Sequence, residues 1–113
     1  MTFHRRHPLQ APQDALDYEI AQEQAAALGR LGRALEAALA ALANHDSAQA
    51  EPPGVPAKDP AAVRAGLVRA AGHALWCFVI QRESCGLRDQ RRVMLDYRVP
   101  REVQNRMGVF GGS

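Results

Sequence analysis

Three residues able to bind metal or take part in thiol chemistry lie in one stretch of the chain: His73, Cys77 and Cys85. His73 and Cys77 are four residues apart, which places an imidazole and a thiol on one face of a helix. Cys85 would lie about 12 Å beyond Cys77 at 1.5 Å per residue, too far to share one ion or one disulfide. A metal or thiol-redox site at these residues therefore needs further ligands, for example from a symmetry-related copy.

Each cysteine also has an interpretation that involves no reactive or metal-binding site. Cys77 suits a small core residue, which is how free cysteine usually behaves. Cys85 is expected near a helix C-terminus, where the negative end of the dipole disfavours a thiolate, although Arg82 and Arg88 act in the opposite direction. The sequence contains no HExxH, GxSxG, CxxC or glycine-rich phosphate loop. We therefore predict no enzyme activity, no cofactor and no metal.

Arginine is concentrated in the last third of the chain. Residues 82–113 contain seven arginines against four acidic residues, whereas residues 14–59 contain eight acidic residues against three basic ones. Two short helices around the turn Arg98-Val99-Pro100 crudely resemble a helix-turn-helix. The local pairs Arg92–Asp96 and Glu102–Arg106 would neutralise part of this charge. The residues that would contact nucleic acid in this alternative are Arg91, Arg101, Gln104, Asn105 and Arg106.

The first long element is a helix predicted over residues 14–44. Asp14 and Asp17 resemble a capping box at its start, and leucines follow at spacings of three and four residues. Residues 1–13 are predicted to form a flexible basic arm. Residues 45–58 are predicted to form a loop, because they contain three prolines and a glycine without apolar periodicity.

The second long helix is predicted over residues 60–85. Asp59-Pro60 combines an N-cap residue with a proline at the first helical position, and Gly86 is a typical C-terminal cap. The middle of this helix is apolar on every side, so more than one neighbour must cover it. Two shorter helices are predicted over residues 89–97 and 100–107, followed by a frayed tail at 109–113.

These elements predict an all-α protein with a single helical domain over residues 14–108. A long antiparallel two-helix hairpin would be followed by two short helices, and two copies would pair as a helical bundle. The apolar stripes supply the expected core and dimer residues. They are Leu28, Leu31, Leu35, Leu42, Leu67, Leu75, Trp76, Phe78 and Val79.

The composition of the 113 residues is that of one soluble domain, with 47% hydrophobic and 23% charged residues. No run approaches the ~20 apolar residues of a membrane span, and no apolar segment follows the basic N-terminus. Two cysteines do not make a disulfide framework. We therefore expect a cytoplasmic protein that does not bind membranes.

Two segments, "ALWCFVIQRESCGLRDQRRVMLDYRVPREVQNRMG" and "LDYEIAQEQAAALGRLGRALEAAL", resemble a family of short, Ala-rich, all-helical bacterial proteins of unknown function. The resemblance implies no activity, ligand or catalytic residue. Together with the patterns above, it favours a non-enzymatic interaction or scaffold protein that acts as a homodimer with an unknown protein partner. Nucleic-acid binding and metal or thiol-redox chemistry are the two alternatives.

Overall fold

A computed structural model describes residues 11–50 and 59–108 of the chain. Within these ranges every regular element is a helix. The four helices are α1 (Ala11–Ala50), α2 (Pro60–Ser84), α3 (Gln90–Asp96) and α4 (Arg101–Arg106). The all-helical architecture expected from the sequence is therefore confirmed. The predicted conformations of residues 1–10, 51–58 and 109–113 fall outside the described residues.

The first helix is longer at both ends than the predicted 14–44. It begins at Ala11, so residues 11–13 are not part of a flexible arm, because Pro12 is tolerated in the first turn where its missing N–H has no acceptor. It ends at Ala50, so residues 45–50 are not loop. Those six residues contain neither proline nor glycine, and Asp46 gains an ion pair with Arg64 of α2.

The second helix is bounded by specific caps. The Asp59 carboxylate accepts a hydrogen bond from the Ala62 N–H at 3.1 Å, and Pro60 occupies the first turn. At the other end Gly86 has a φ of +87°, and the Leu87 N–H donates to the Arg82 carbonyl at 2.8 Å. A left-handed glycine of this kind satisfies the last carbonyls of a helix and turns the chain away.

The two short helices are held close to α2. The Asp89 side chain caps α3 by accepting from the Arg92 N–H at 3.2 Å, and Gln90 donates to the Glu83 carboxylate at 2.9 Å. Arg98 then adopts a left-handed conformation with a φ of 51°, which redirects the chain into Val99-Pro100 and α4.

The core lies where α2 meets α1 on one side and α4 on another. Among the described residues, the largest fully enclosed side chains are Leu35 from α1, Leu75 from α2 and Val103 from α4. Burying a side chain of this size contributes about 1.5–3 kcal/mol. Within residues 11–50 and 59–108, the buried apolar residues are Leu35, Leu42, Val68, Ala71, Leu75, Phe78, Val79, Val93, Val99 and Val103.

The expected core residues are divided between two degrees of burial. Leu35, Leu42, Leu75, Phe78 and Val79 are buried. The other four, which are half-buried, are Leu28, Leu31, Leu67 and Trp76.

Candidate interaction surface on the second helix

The face of α2 opposite the core carries a regular row of small and apolar residues. Seven positions recur at alternating spacings of three and four residues, and none of them is buried. We name this row the outer seam. It consists of Val63, Gly66, Ala70, His73, Cys77, Ile80 and Ser84.

The outer seam has the spacing of a helix that packs lengthwise against another helix. At 100° per residue, Cys77 lies about 160° around the helix from the fully buried Leu75. The larger side chains near its two ends, Val63 and Ile80, are 45% and 42% exposed. Since α1 and α4 pack on other sides of α2, the seam is the side of the helix that the described helices leave at most half-buried.

The neighbouring flank of α1 is also made of small side chains. Ala27, Ala34 and Ala41 recur every seven residues in line with Ile20, and none of the four is buried. Ile20 and Ala27 share a groove of about 420 Å³ with Gln81, near the end of α2. The flank and the outer seam together offer a surface that another helix could approach closely.

The outer seam contains no Asp, Glu, Lys or Arg. By length and mean hydropathy, 1.3 over its most apolar 18 residues, α2 alone among the described helices qualifies as a membrane span. The sequence analysis looked for an uninterrupted run of about 20 apolar residues, and α2 does not contain one, so that criterion did not identify this helix. Only 28% of that window is buried within the chain. The same composition suits a helix covered by protein on several sides.

The two metal-competent residues of the seam lie side by side. The Cys77 Sγ and His73 Nε2 atoms are 3.5 Å apart, with His73 exposed and Cys77 half-buried. Cys85 lies elsewhere, where the Gln81 amide donates to its Sγ at 3.8 Å. Both thiols are free. Across residues 11–50 and 59–108, no three His, Cys, Asp or Glu side chains converge on a common point.

A second polar feature joins three helices. The Arg64 guanidinium of α2 pairs with Asp46 of α1 at 2.8 Å and with Glu102 of α4 at 2.6 Å. These hydrogen bonds lower the pKa of the Asp46 and Glu102 carboxyls, and those to Glu102 and then Asp46 raise the pKa of Arg64. All three side chains are between a third and half exposed, so the network fixes geometry more than it adds stability.

Of the five residues expected to contact nucleic acid, four lie on α4 and Arg91 lies on α3. The Gln104 amide donates to the Val99 carbonyl at 3.0 Å and is thus engaged within the chain. Asn105 and Arg106 line a groove of about 600 Å³ between α2 and α4 with Arg69. The remaining two, Arg101 and Arg91, are exposed on α4 and α3 respectively. Helix α4 has only six residues, and its Val103 is buried in the core.

Residues 6–113 match a family described as "Family of unknown function (DUF6665)". The chain belongs to this family. No curated protein and no solved structure matches the chain significantly. Membership of DUF6665 agrees with the resemblance noted from the sequence, and it assigns no activity or ligand to any residue.

Sequence reasoning missed two features of this member of DUF6665. The first is the outer seam. Its spacing of three and four residues can be read from the sequence, but which stripe of α2 faces outward depends on where α1 and α4 pack. The Arg64 network joins residues 18 and 38 positions apart, so no local pattern indicates it.

Proposed function

We propose that the protein is a non-enzymatic interaction or scaffold protein that acts as a homodimer paired through the outer seam. The single observation that carries the proposal is an uncharged 3-4 row along α2, none of whose residues is buried by the described part of the chain. In the proposed arrangement, α1 and α2 form an antiparallel hairpin, and two hairpins make a four-helix bundle.

Contacts between α1 and α2 support the antiparallel hairpin. Arg64, near the start of α2, bonds Asp46 near the end of α1. Phe78, in the later part of α2, lies beside Gly32, much earlier in α1. Both contacts support an approach of the two helices in opposite chain directions.

A second copy is the occupant we favour for the seam, because the row is self-complementary. With two copies antiparallel, Ala70 can lie opposite Ile80 of the second copy, and His73 opposite its Cys77. Small residues then face larger ones, as interdigitating helices require. A row without charge also brings no like-charge repulsion when it meets itself, and a two-fold axis makes both halves equivalent.

The mass of the full-length chain in solution tests the proposal. We expect light scattering after size exclusion at micromolar concentration to give twice 12.3 kDa. Ile80→Glu should shift the protein to the monomer mass, because it places a charge within the paired seam. Leu95→Glu is the matched control: Leu95 is 68% exposed on α3, away from the seam, and its variant should remain dimeric.

Two results would overturn this arrangement. One is a wild-type protein that stays monomeric over the whole concentration range. The other is an Ile80→Glu variant that is folded by circular dichroism and as dimeric as the wild type. Flotation with neutral lipid vesicles separates a membrane-bound helix from a paired one, since capture on vesicles would assign the seam to lipid instead.

A further inference from the structure

We propose that two copies of the chain together bind one Zn²⁺ ion through His73 and Cys77 of each α2 helix. The inference rests on the proposed homodimer, because one chain contributes two ligands and a structural zinc site needs four. Two cysteines and two histidines are an established ligand set for such sites.

The distance between the two side chains already suits a shared ion. Zinc binds sulfur at about 2.3 Å and imidazole nitrogen at about 2.0–2.1 Å, so tetrahedral ligand atoms lie roughly 3.5 Å apart. The Cys77 Sγ and His73 Nε2 atoms are 3.5 Å apart. Each chain thus presents half of a tetrahedral site with little rearrangement.

The position of the pair on the seam lets a second copy complete the site. His73 and Cys77 are consecutive seam positions, and His73 is exposed. In the antiparallel pairing that sets His73 opposite Cys77 of the second copy, a two-fold axis passes between them. All four donor atoms then meet at one point. The neighbouring Ala70 and Gly66 have no bulk to keep the two helix backbones apart.

The donor set selects the class of metal. Thiolate and imidazole ligands favour zinc over hard ions such as Mg²⁺ and Ca²⁺, which take oxygen ligands. Each thiol releases one proton to solvent as its sulfur binds, so the two thiolates balance the charge of the ion. Affinity should therefore rise with pH. Cys85 takes no part, because it lies about 12 Å along the helix from Cys77.

Elemental analysis of the full-length protein tests the site, after loading with zinc chloride and exhaustive dialysis. We expect one zinc for every two chains, together with the dimer mass by light scattering. Cobalt in place of zinc should give the sulfur-to-cobalt charge-transfer absorption of a thiolate ligand. Cys77→Ser and His73→Ala should each weaken zinc binding by more than about 100-fold, since changes beyond the ligands alone cost 10–100-fold.

Cys85→Ser is the matched control, and it should retain both the stoichiometry and the cobalt spectrum. A dimer that keeps no zinc after dialysis overturns the metal site and leaves the paired seam standing. Zinc retained equally by Cys77→Ser overturns it as well. A wild-type protein that is monomeric both with and without zinc would overturn the proposed homodimer and the shared zinc site together.

Discussion

At the scale of single residues, α4 packs closely against a glycine in the middle of α2. A Cβ built on Gly72 would lie 2.8 Å from the Cβ of Arg106 and 3.1 Å from the Arg106 backbone carbonyl group. Backbone atoms cannot move aside as a flexible side chain can. The missing side chain is therefore what lets α4 approach α2 and bury Val103.

We predict that Gly72→Ala destabilises the protein despite alanine's better helix propensity. Overpacking costs typically about 1–3 kcal/mol, while alanine recovers about 1 kcal/mol, so a net loss of up to about 2 kcal/mol is expected. Urea denaturation followed by circular dichroism measures the difference.

Gly29→Ala is the control for this prediction. Its added Cβ would meet only the end of the Arg33 side chain, at 3.2 Å, and that side chain can rotate away. Gly29→Ala should therefore be neutral or stabilising by up to about 1 kcal/mol. If both variants change the free energy of unfolding equally, the close approach of α4 does not explain the effect of Gly72→Ala.

At the scale of elements, Arg64 joins the end of α1, the start of α2 and the start of α4. The structure pairs it with Asp46 and Glu102, whose carboxyl pKa values fall below their ordinary values of 3.8 and 4.5. The folded chain thus binds fewer protons at these groups than the unfolded chain does. Their contribution to stability is present in full above the ordinary values and is lost as the pH falls through the lowered ones.

We therefore predict that Arg64→Gln reduces the acid dependence of unfolding. Between about pH 5 and pH 2, the free energy of unfolding of the wild type should fall more steeply than that of the variant. Amide exchange at residues 46–50 should also become faster in the variant, because the last turns of α1 lose their partner in α2. Urea denaturation across pH and exchange mass spectrometry supply the two measurements.

Arg91→Gln is a control that removes an arginine outside this network. Its acid dependence and the exchange of residues 46–50 should match those of the wild type. An Arg64→Gln variant that behaves in the same way would show that the network does not hold the end of α1.

The element prediction from sequence succeeded where local chemistry decides the structure. Asp59-Pro60 and Gly86 locate the two ends of α2 because a cap acts on its immediate neighbours. The sequence predicts the end of α1 at Asn44 because residues 45–58 contain three prolines and a glycine without apolar periodicity. The stretch is helical as far as Ala50, and the partner of Asp46 comes from α2, beyond the reach of a local pattern.

The candidate surface was only partly predictable for the same reason. The spacing of His73 and Cys77 indicates that they share a helix face, and the apolar middle of α2 indicates a need for several neighbours. Which face remains open follows from where Gly72 admits α4 and Gly32 admits Phe78, and both are contacts between distant parts of the chain.

At the scale of the whole molecule, the proposed pairing through the outer seam predicts that stability depends on protein concentration. We predict that the wild-type melting temperature rises by several degrees between about 1 and 100 µM, because a dimer unfolds to two chains. Ile80→Glu should melt at one temperature throughout. Differential scanning calorimetry measures both melting temperatures. A wild-type melting temperature that does not change with protein concentration would contradict the pairing.

The contacts between α1 and α2 also have a consequence for the order of folding. Asp46 and Arg64 are 18 residues apart in the chain, whereas Gly32 and Phe78 are much further apart. Bringing the nearer pair together closes the shorter loop and therefore costs less conformational entropy. Each later contact then closes only a short additional segment, so its further entropy cost is small. We expect the two helices to associate first at Arg64 and last near Gln81, in the fast kinetic range of proteins dominated by local contacts.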